Sequence, residues 1–351
     1  MWGRSLGLSG LIFLLSGCEA DYYLHLIQGQ ARILLQSQSI GELLESAQVV
    51  DEETRQKLAL VESIRSFARE HIGLEPGDNY TYFYDTGGRP VSWNVSACPP
   101  HRFSAYKWSF PIVGAVPYKG FFEKNRALEE RERLQKMGYD TIVRPVSAYS
   151  TLGFFSDPVL SPMLNYSEDR LANLLIHELT HSTIYIADHA DFNESLATFV
   201  GRQGALDFIV ARHGTATVKL SQIRKRREES ARFRKFLQTL TTSLDSLYSQ
   251  DLERQVVLEK RIRIFERAQD RYRELRSTFT AGNFDYFLDW QVNNAQLLSF
   301  RRYNRDLELF SRVYDSEGQS LDRVLAICQS CADASDPWSC LRQTLPATSP
   351  L

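Results

Sequence analysis

Apolar residues recur at helical spacing over much of the chain. This spacing predicts helices over 22–44, 52–71, 123–137 and 283–313. A longer charged and apolar pattern over 217–278 predicts two long helices that form a hairpin with its turn near 245–251. Most of the chain is therefore expected to be helical.

One stretch departs from that pattern. From 80 to 117 the chain is rich in Tyr, Trp, Val and Phe, with Gly and Pro between them. Residues 80–84 and 91–95 flank the turn residues 85–88 and predict a β-hairpin. Residues 140–146 predict another short strand. The expected fold class is α+β, predominantly helical, with a small β-sheet and a long helical hairpin.

The strongest local pattern lies at 167–200. Ser167 is a plausible N-cap for an apolar helix that contains neither Pro nor Gly. Residues 186–191 have the composition of a turn, and 192–205 predict a second helix. Glu194 is expected in the first turn of that helix.

Two histidines four residues apart give this region its chemistry. His177 and His181 share one face of a helix, so both imidazoles can bind one ion. Catalytic zinc sites use three protein ligands and leave a fourth position open, and Glu194, thirteen positions after His181, is the favoured third ligand. Glu178 lies about 100° round the helix from His177. It is predicted to be the general base on zinc-bound water.

Alternatives to this interpretation remain at the sequence level. His189 is a rival third ligand, although the metzincin pattern requires Gly and His where this chain has Ile184 and Ala187. A buried cluster of His177, Glu178 and His181 satisfied only by hydrogen bonds is the non-functional alternative.

Polar residues beside the third ligand are candidates to orient the imidazoles. They are Asp188, Asp191 and Asn193, and each could equally be a capping or turn residue.

A tyrosine is expected to donate a hydrogen bond to the developing oxyanion. Tyr303 is the first candidate, ahead of Tyr149 and Tyr185. Residues 152–155 are a candidate edge strand that would pair with a substrate backbone, with a core strand as the alternative.

The first residues predict export. Arg4 precedes the short apolar run 11–15, which is too short for a bilayer and typical of a signal peptide over 1–17. Residues 15–18, Leu-Ser-Gly-Cys, resemble a bacterial lipobox, so Cys18 is the predicted lipidation site and membrane anchor. Glu19 in place of Asp favours the outer over the inner membrane. The expected location is the periplasm-facing cell envelope.

The predicted domains are a region over 18–216 with the metal site and a helical region over 217–351. The cysteines after Cys18 are even in number, which favours disulfides in an exported protein without fixing their pairing, and they are Cys98, Cys328, Cys331 and Cys340. A staple of the C-terminal tail through Cys340 is one expectation.

The formal net charge of the chain is −2, with both signs interspersed. No basic block predicts nucleic-acid binding. The charged hairpin over 217–278 is expected to be a solvated face, with an envelope protein partner as the alternative.

Several segments together resemble the bacterial predicted aminopeptidase family of zinc-dependent lipoproteins. They are the lipobox, AYSTLGFFSDPVL, IHELTHSTIY, DFNESLATFVGRQG and NNAQLLSFRRYN. The resemblance covers about 22–314 and leaves out the tail after Cys328. It implies a gluzincin-like, zincin-type peptidase core in which His177, His181 and Glu194 bind Zn²⁺ and Glu178 is the base.

The sequence therefore predicts a zinc-dependent peptidase, an aminopeptidase by resemblance, that acts on peptides or proteins in the cell envelope. The alternative is a peptidase-like lipoprotein that acts as a binding scaffold without hydrolysis.

Overall fold

The computed structural model describes residues 17–46, 50–110, 114–146, 156–282, 284–289, 291 and 293–345. The protein is predominantly helical, at 64%, with small sheets, so the α+β prediction is confirmed at that level. Among the residues that the structure describes, every helix is either too short or too polar to span a bilayer.

The helices are α1 (Gly17–Gln36), α2 (Ile40–Glu45), α3 (Glu52–Phe67), α4 (Lys124–Lys136), α5 (Glu168–Thr183), α6 (Ala190–His213), α7 (Val218–Tyr248), α8 (Arg254–Leu275), α9 (Asn294–Tyr303), α10 (Leu307–Ser316), α11 (Leu321–Ser330) and α12 (Pro337–Gln343). The strands are β1 (Gln38–Ser39), β2 (Tyr82–Tyr84), β3 (Trp93–Cys98), β4 (Trp108–Phe110), β5 (Gly114–Val116), β6 (Lys119–Phe121), β7 (Asp140–Pro145) and β8 (Val159–Leu160).

The described strands form three small sheets with the orders β1-β2-β8, β6-β3-β7 and β4-β5. The predicted hairpin of 80–84 with 91–95 is wrong, because β2 pairs with β1 and β8 whereas β3 pairs with β6 and β7. The two strands bury different partners. Phe83 of β2 belongs to the largest apolar cluster, while Val95 of β3 packs with Leu134 of α4.

Two predicted helices are broken. The expected helix over 22–44 is α1 and α2, separated by β1, and Ser39 caps α2 by accepting a hydrogen bond from the Glu42 N–H. The expected helix over 283–313 contains α9 and α10, with Asp306 between them at φ +46°. In both places contacts distant in sequence interrupt a locally plausible helix.

The largest core surrounds α5 and α6. Ile64 of α3, Leu175 of α5 and Leu196 of α6 are fully buried in it. Phe310 of α10 and Trp338 of α12 pack into the same cluster. Segments from distant parts of the chain therefore hold α5 in place.

The predicted long helical hairpin is confirmed as α7 and α8, with its turn at 249–253. Its own core is rich in aromatic residues and contains Phe233, Phe236, Phe265, Tyr272 and Phe287. The domain division after residue 216 stays a prediction.

The predicted staple of the tail through Cys340 is confirmed, since Cys331 and Cys340 form a disulfide. The expectation that all four cysteines pair is wrong, because Cys98 and Cys328 are free and buried. The Cys98 thiol donates a hydrogen bond to the Arg102 carbonyl at 3.3 Å. Burial raises the pKa of each free thiol to about 12, so both are inert packing residues.

Candidate metal centre

The helix α5 has one strongly apolar side. Leu171, Leu175, Ile176 and Leu179 are fully buried, whereas His177 and His181 lie on a partly exposed face. Ser167 occupies the predicted N-cap position, but its hydroxyl donates to the Asp169 carboxylate at 2.8 Å rather than capping the backbone. Burial of the apolar side therefore fixes which way the two imidazoles point.

Ion pairs clamp the start of α5. The Glu168 carboxylate contacts Arg212 at 2.9 Å and His213 at 2.8 Å at the end of α6, and it also pairs with Lys219 of α7. Burial acts to raise the pKa of Glu168, but Lys219 and His213 outweigh it and lower the pKa. These contacts hold α5 antiparallel to α6.

The helices α5 and α6 approach each other closely at Gly201. A Cβ added there would lie 2.8 Å from the Asn173 carbonyl oxygen and 3.0 Å from the Cβ of His177. The absence of a side chain at 201 therefore lets the backbone of α6 lie against the helix that carries the histidines.

The turn between α5 and α6 is tied to Asn193. Its side chain donates to the Ile186 carbonyl at 2.7 Å and accepts from the Ile186 N–H at 3.0 Å. The predicted α6 begins earlier and ends later than expected, at Ala190 and His213. Asn193 thus locks the turn, and Glu194 follows it within α6.

Glu194 lies between the two imidazoles. Its Oε2 is 3.4 Å from Nε2 of His177 and 3.4 Å from Nε2 of His181. The two rings are nearly perpendicular, at 87°, with centroids 4.9 Å apart. The three ligand atoms all lie within 4.8 Å of one another.

This spacing fits zinc. Two ligands about 2.05 Å from a tetrahedral ion are about 3.4 Å apart. The Glu194 Oε2 is buried without a hydrogen-bond partner among the described residues, and such an orphaned buried oxygen is costly unless another group binds it. Two imidazoles and one carboxylate are a zinc-type donor set.

The Glu194 carboxylate and the His181 imidazole stabilise each other's charged forms. Burial acts to raise the pKa of Glu194, but His177 and His181 outweigh it and hold the pKa far below its usual range. Burial acts to lower the pKa of His181, and Glu194 reverses the effect and raises it.

Glu178 is partly buried next to His177 along α5. Within the described part of the chain, no hydrogen bond or ion pair engages its carboxylate, which remains available to a bound molecule. Its charge acts on His181 and on the phenols of Tyr80 and Tyr303, which places it at the same centre.

Tyr303, at the end of α9, reaches the centre from the other side. Its ring lies 6.1 Å from the His177 ring, centroid to centroid, with the two planes inclined by 28°. Ser195 of α6 fixes this segment, because its hydroxyl donates to the Arg302 carbonyl at 3.2 Å and accepts from the Arg305 N–H at 3.1 Å. Burial and then the charge of Glu194 raise the pKa of Tyr303, so its hydroxyl keeps its proton.

Two tyrosines at the centre were missed by the sequence interpretation. Tyr118 lies between β5 and β6, and burial together with the charge of Glu194 raises its pKa. Tyr80 is fully buried at φ +61°, and its hydroxyl has no partner among the described residues. Neither lies in a motif, so only long-range packing could reveal them.

The rival third ligand is not at the centre. His189 precedes α6 as its N-cap residue, and the cluster of candidate ligands consists of His177, His181 and Glu194.

The three residues expected to orient the imidazoles do not do so in the described structure. Asn193 bonds to Ile186, Asp191 pairs with Arg305, and Asp188 is exposed at φ +63°.

Some of the remaining predicted residues lie within the described structure and others lie outside it. Tyr185 is 57% exposed on the turn after α5. Tyr149 and the candidate edge strand 152–155 lie outside the described residues, as does most of the predicted signal peptide. Cys18 is the second residue of α1, and its lipidation stays a prediction.

Comparison with known proteins gives one match. No curated protein and no solved structure matches the chain. A family model described as "Putative aminopeptidase" matches residues 21–338. This match covers most of the 351 residues, and the chain therefore belongs to the putative aminopeptidase family.

Proposed function

We propose that this protein is a zinc-dependent aminopeptidase in which His177, His181 and Glu194 hold the ion. The observation that carries the proposal is the position of the Glu194 Oε2, orphaned and 3.4 Å from both imidazole nitrogens. Family membership supports peptidase activity. When bound, zinc would acidify a water molecule and polarise the scissile carbonyl.

The roles of the chain's own groups follow from their placement. Glu178, which is beside the ligands but bonded to none of them, accepts a proton and passes it to the leaving amine. Tyr303, protonated and beside His177, donates a hydrogen bond where negative charge develops on the substrate oxygen. Both side chains are only partly exposed, which limits the access of bulk water to these groups.

The test combines metal content with activity. We expect about one zinc per chain in the purified protein and cleavage of peptides with a free amino terminus but not of their acetylated counterparts. Glu178→Gln should retain zinc and lower kcat/KM by about 10²–10⁴-fold. Glu53→Gln, on the exposed face of α3, is the matched control and should change neither.

Two outcomes would contradict the proposal. If the wild-type protein binds no zinc after equilibration with free zinc ions, the proposed metal site is wrong. Unchanged hydrolysis in Glu178→Gln would refute the base. A biological effect that survives in Glu178→Gln would instead favour the scaffold function through the α7–α8 hairpin.

We further propose that the protein is anchored at the periplasmic side of the outer membrane by lipid on Cys18. The resemblance of 15–18 to a lipobox supports this proposal. Cys18→Ser should move the protein from the membrane to the soluble fraction and remove the lipid mass from the amino-terminal peptide. A protein that stays membrane-bound after this change would contradict the anchor.

A further inference from the structure

Three arginines lie together away from the metal centre. Arg202 is on α6, and Arg227 and Arg234 are seven residues apart on α7. Seven residues are about two turns, so the latter two share one face of α7. Each of the three side chains is only partly exposed. We call this group the arginine cluster.

Among the residues that the structure describes, no anion compensates the charge of Arg202. Its Nη2 donates to the Asn304 side chain at 3.3 Å, whereas its Nη1 is buried without a partner among the described residues. The charged groups that act on it are Arg234 and Arg227, and both are positive. Burial and these two neighbours lower its pKa to about 9.

The other two guanidinium groups are also poorly neutralised. Arg227 donates to the Arg202 carbonyl at 2.8 Å and to the Gln203 side chain at 3.5 Å. Its nearby carboxylate is Asp207, whose own pKa is raised by burial. Arg234 makes no hydrogen bond or ion pair to any residue that the structure describes. Of the three positive charges, only that of Arg227 has a carboxylate acting on it among the described residues.

This arrangement is unusual within the same helix. Arg226 of α7, one residue before the cluster, is paired with Asp169 at 2.9 Å. A charged group held away from water without a partner is strongly disfavoured, and a missing partner is the simplest explanation.

We propose that the arginine cluster binds a phosphate group. Guanidinium groups match the planar, bidentate geometry of phosphate oxygens. The cluster has an excess of two positive charges when Asp207 is ionised, which suits a phosphate dianion better than a single carboxylate. All three side chains are partly exposed, so a small anion can reach the cluster from solvent.

The phosphate site is separate from the metal centre. Arg202 follows Glu194 by eight residues on α6, about 12 Å along the helix axis. The inference therefore does not rest on zinc binding or hydrolysis.

The test measures phosphate binding to metal-free protein. Isothermal titration with inorganic phosphate, at constant chloride and ionic strength, should show one site per chain. Arg202→Gln and Arg234→Gln should each weaken binding at least 10-fold. Arg224→Gln, an exposed residue of α7 with the same charge change, is the matched control and should bind as wild type does.

A second measurement, of melting temperature, shows whether a variant that fails to bind phosphate is still folded. Arg202→Met removes an unpaired buried charge, so without phosphate this variant should melt at or above the wild-type temperature. Saturating phosphate should raise the melting temperature of the wild type but not that of Arg202→Met. The same titration with glycerol phosphate compares the affinity for a phosphate monoester with that for free phosphate. The compound that binds more tightly identifies the preferred form of the ligand.

Three results would overturn the proposal. They are no binding to the metal-free wild type, equal binding by Arg202→Gln and wild type, and binding that appears only after zinc is added. The last would assign the phosphate to the metal centre.

Discussion

Two glutamates in this protein, the buried Glu229 and the partly buried Glu194, have opposite surroundings. Glu229 of α7 accepts hydrogen bonds from the backbone N–H groups of Thr280, Ala281 and Gly282 and from the Thr280 hydroxyl. Glu194 of α6 has an Oε2 that no described hydrogen-bond donor satisfies, and it lies between two imidazoles.

This difference distinguishes a glutamate that stabilises the fold from one that can bind a ligand. Burial acts to raise the pKa of Glu229, but the three backbone N–H groups outweigh it and lower the pKa to about 2. The chain itself completes that site, so Glu229 secures the segment after α8 to α7. At Glu194 the chain leaves one position for an outside partner, which is the arrangement expected of a ligand-binding residue.

The largest expected effect is on metal binding. Glu194→Ala should lower zinc affinity by more than about 100-fold, since changing even a neighbour of a metal ligand costs about 10–100-fold. Competition with a chromophoric chelator measures the change. Equal zinc affinity would place the metal elsewhere.

Glu229→Gln should have the reverse profile. It should destabilise the protein by about 3 kcal/mol at neutral pH, because an amide replaces a carboxylate that accepts four hydrogen bonds. Denaturant unfolding measures this loss, and zinc affinity should not change. A fall in zinc affinity without a loss of stability would contradict the structural role of Glu229.

The same residue predicts a pH dependence. Its folded pKa of about 2 is below the ordinary value of 4.5, so its contribution is complete above pH 4.5 and is lost as the pH falls towards 2. The wild type should lose stability over that interval more steeply than Glu229→Gln. Parallel curves would show that the carboxylate is not held in its ionised form.

Gly201→Ala tests the helix contact behind the metal centre. The new methyl group would lie 2.8 Å from the Asn173 carbonyl oxygen, so α5 and α6 must separate. We expect a loss of about 2 kcal/mol in stability together with weaker zinc binding. Gly41→Ala is the matched control, since a Cβ there meets only the Ser39 hydroxyl at 3.7 Å. It should be neutral or slightly stabilising.

The smallest effect is expected at Ser195, a positioning residue. Ser195→Ala removes two hydrogen bonds, to backbone groups on either side of Tyr303, and should lower kcat by about 5–10-fold, equivalent to about 1 kcal/mol. KM and zinc affinity should stay unchanged. In a Tyr303→Phe background the Ser195 change should have little further effect, because both act through one hydroxyl. Full additivity would show that Ser195 acts by another route.

The sequence determined what depends on neighbours along the chain. The four-residue spacing of His177 and His181 and the apolar side of α5 require only local helical geometry, and both are present. The α7–α8 hairpin followed from its long charged and apolar pattern for the same reason. Local periodicity could not show where long-range contacts break a helix, as they do at β1 and at Asp306.

Tertiary structure decided everything that requires distant segments to meet. Glu194 rather than His189 lies beside the imidazoles because α6 packs against α5 at Gly201, and a missing side chain carries no chemical signature in a motif. Tyr118, Tyr80 and the arginine cluster each come from segments whose proximity only the folded chain creates. Side-chain direction on one helix is a local property, whereas the completeness of a buried charge's surroundings is set by every element packed around it.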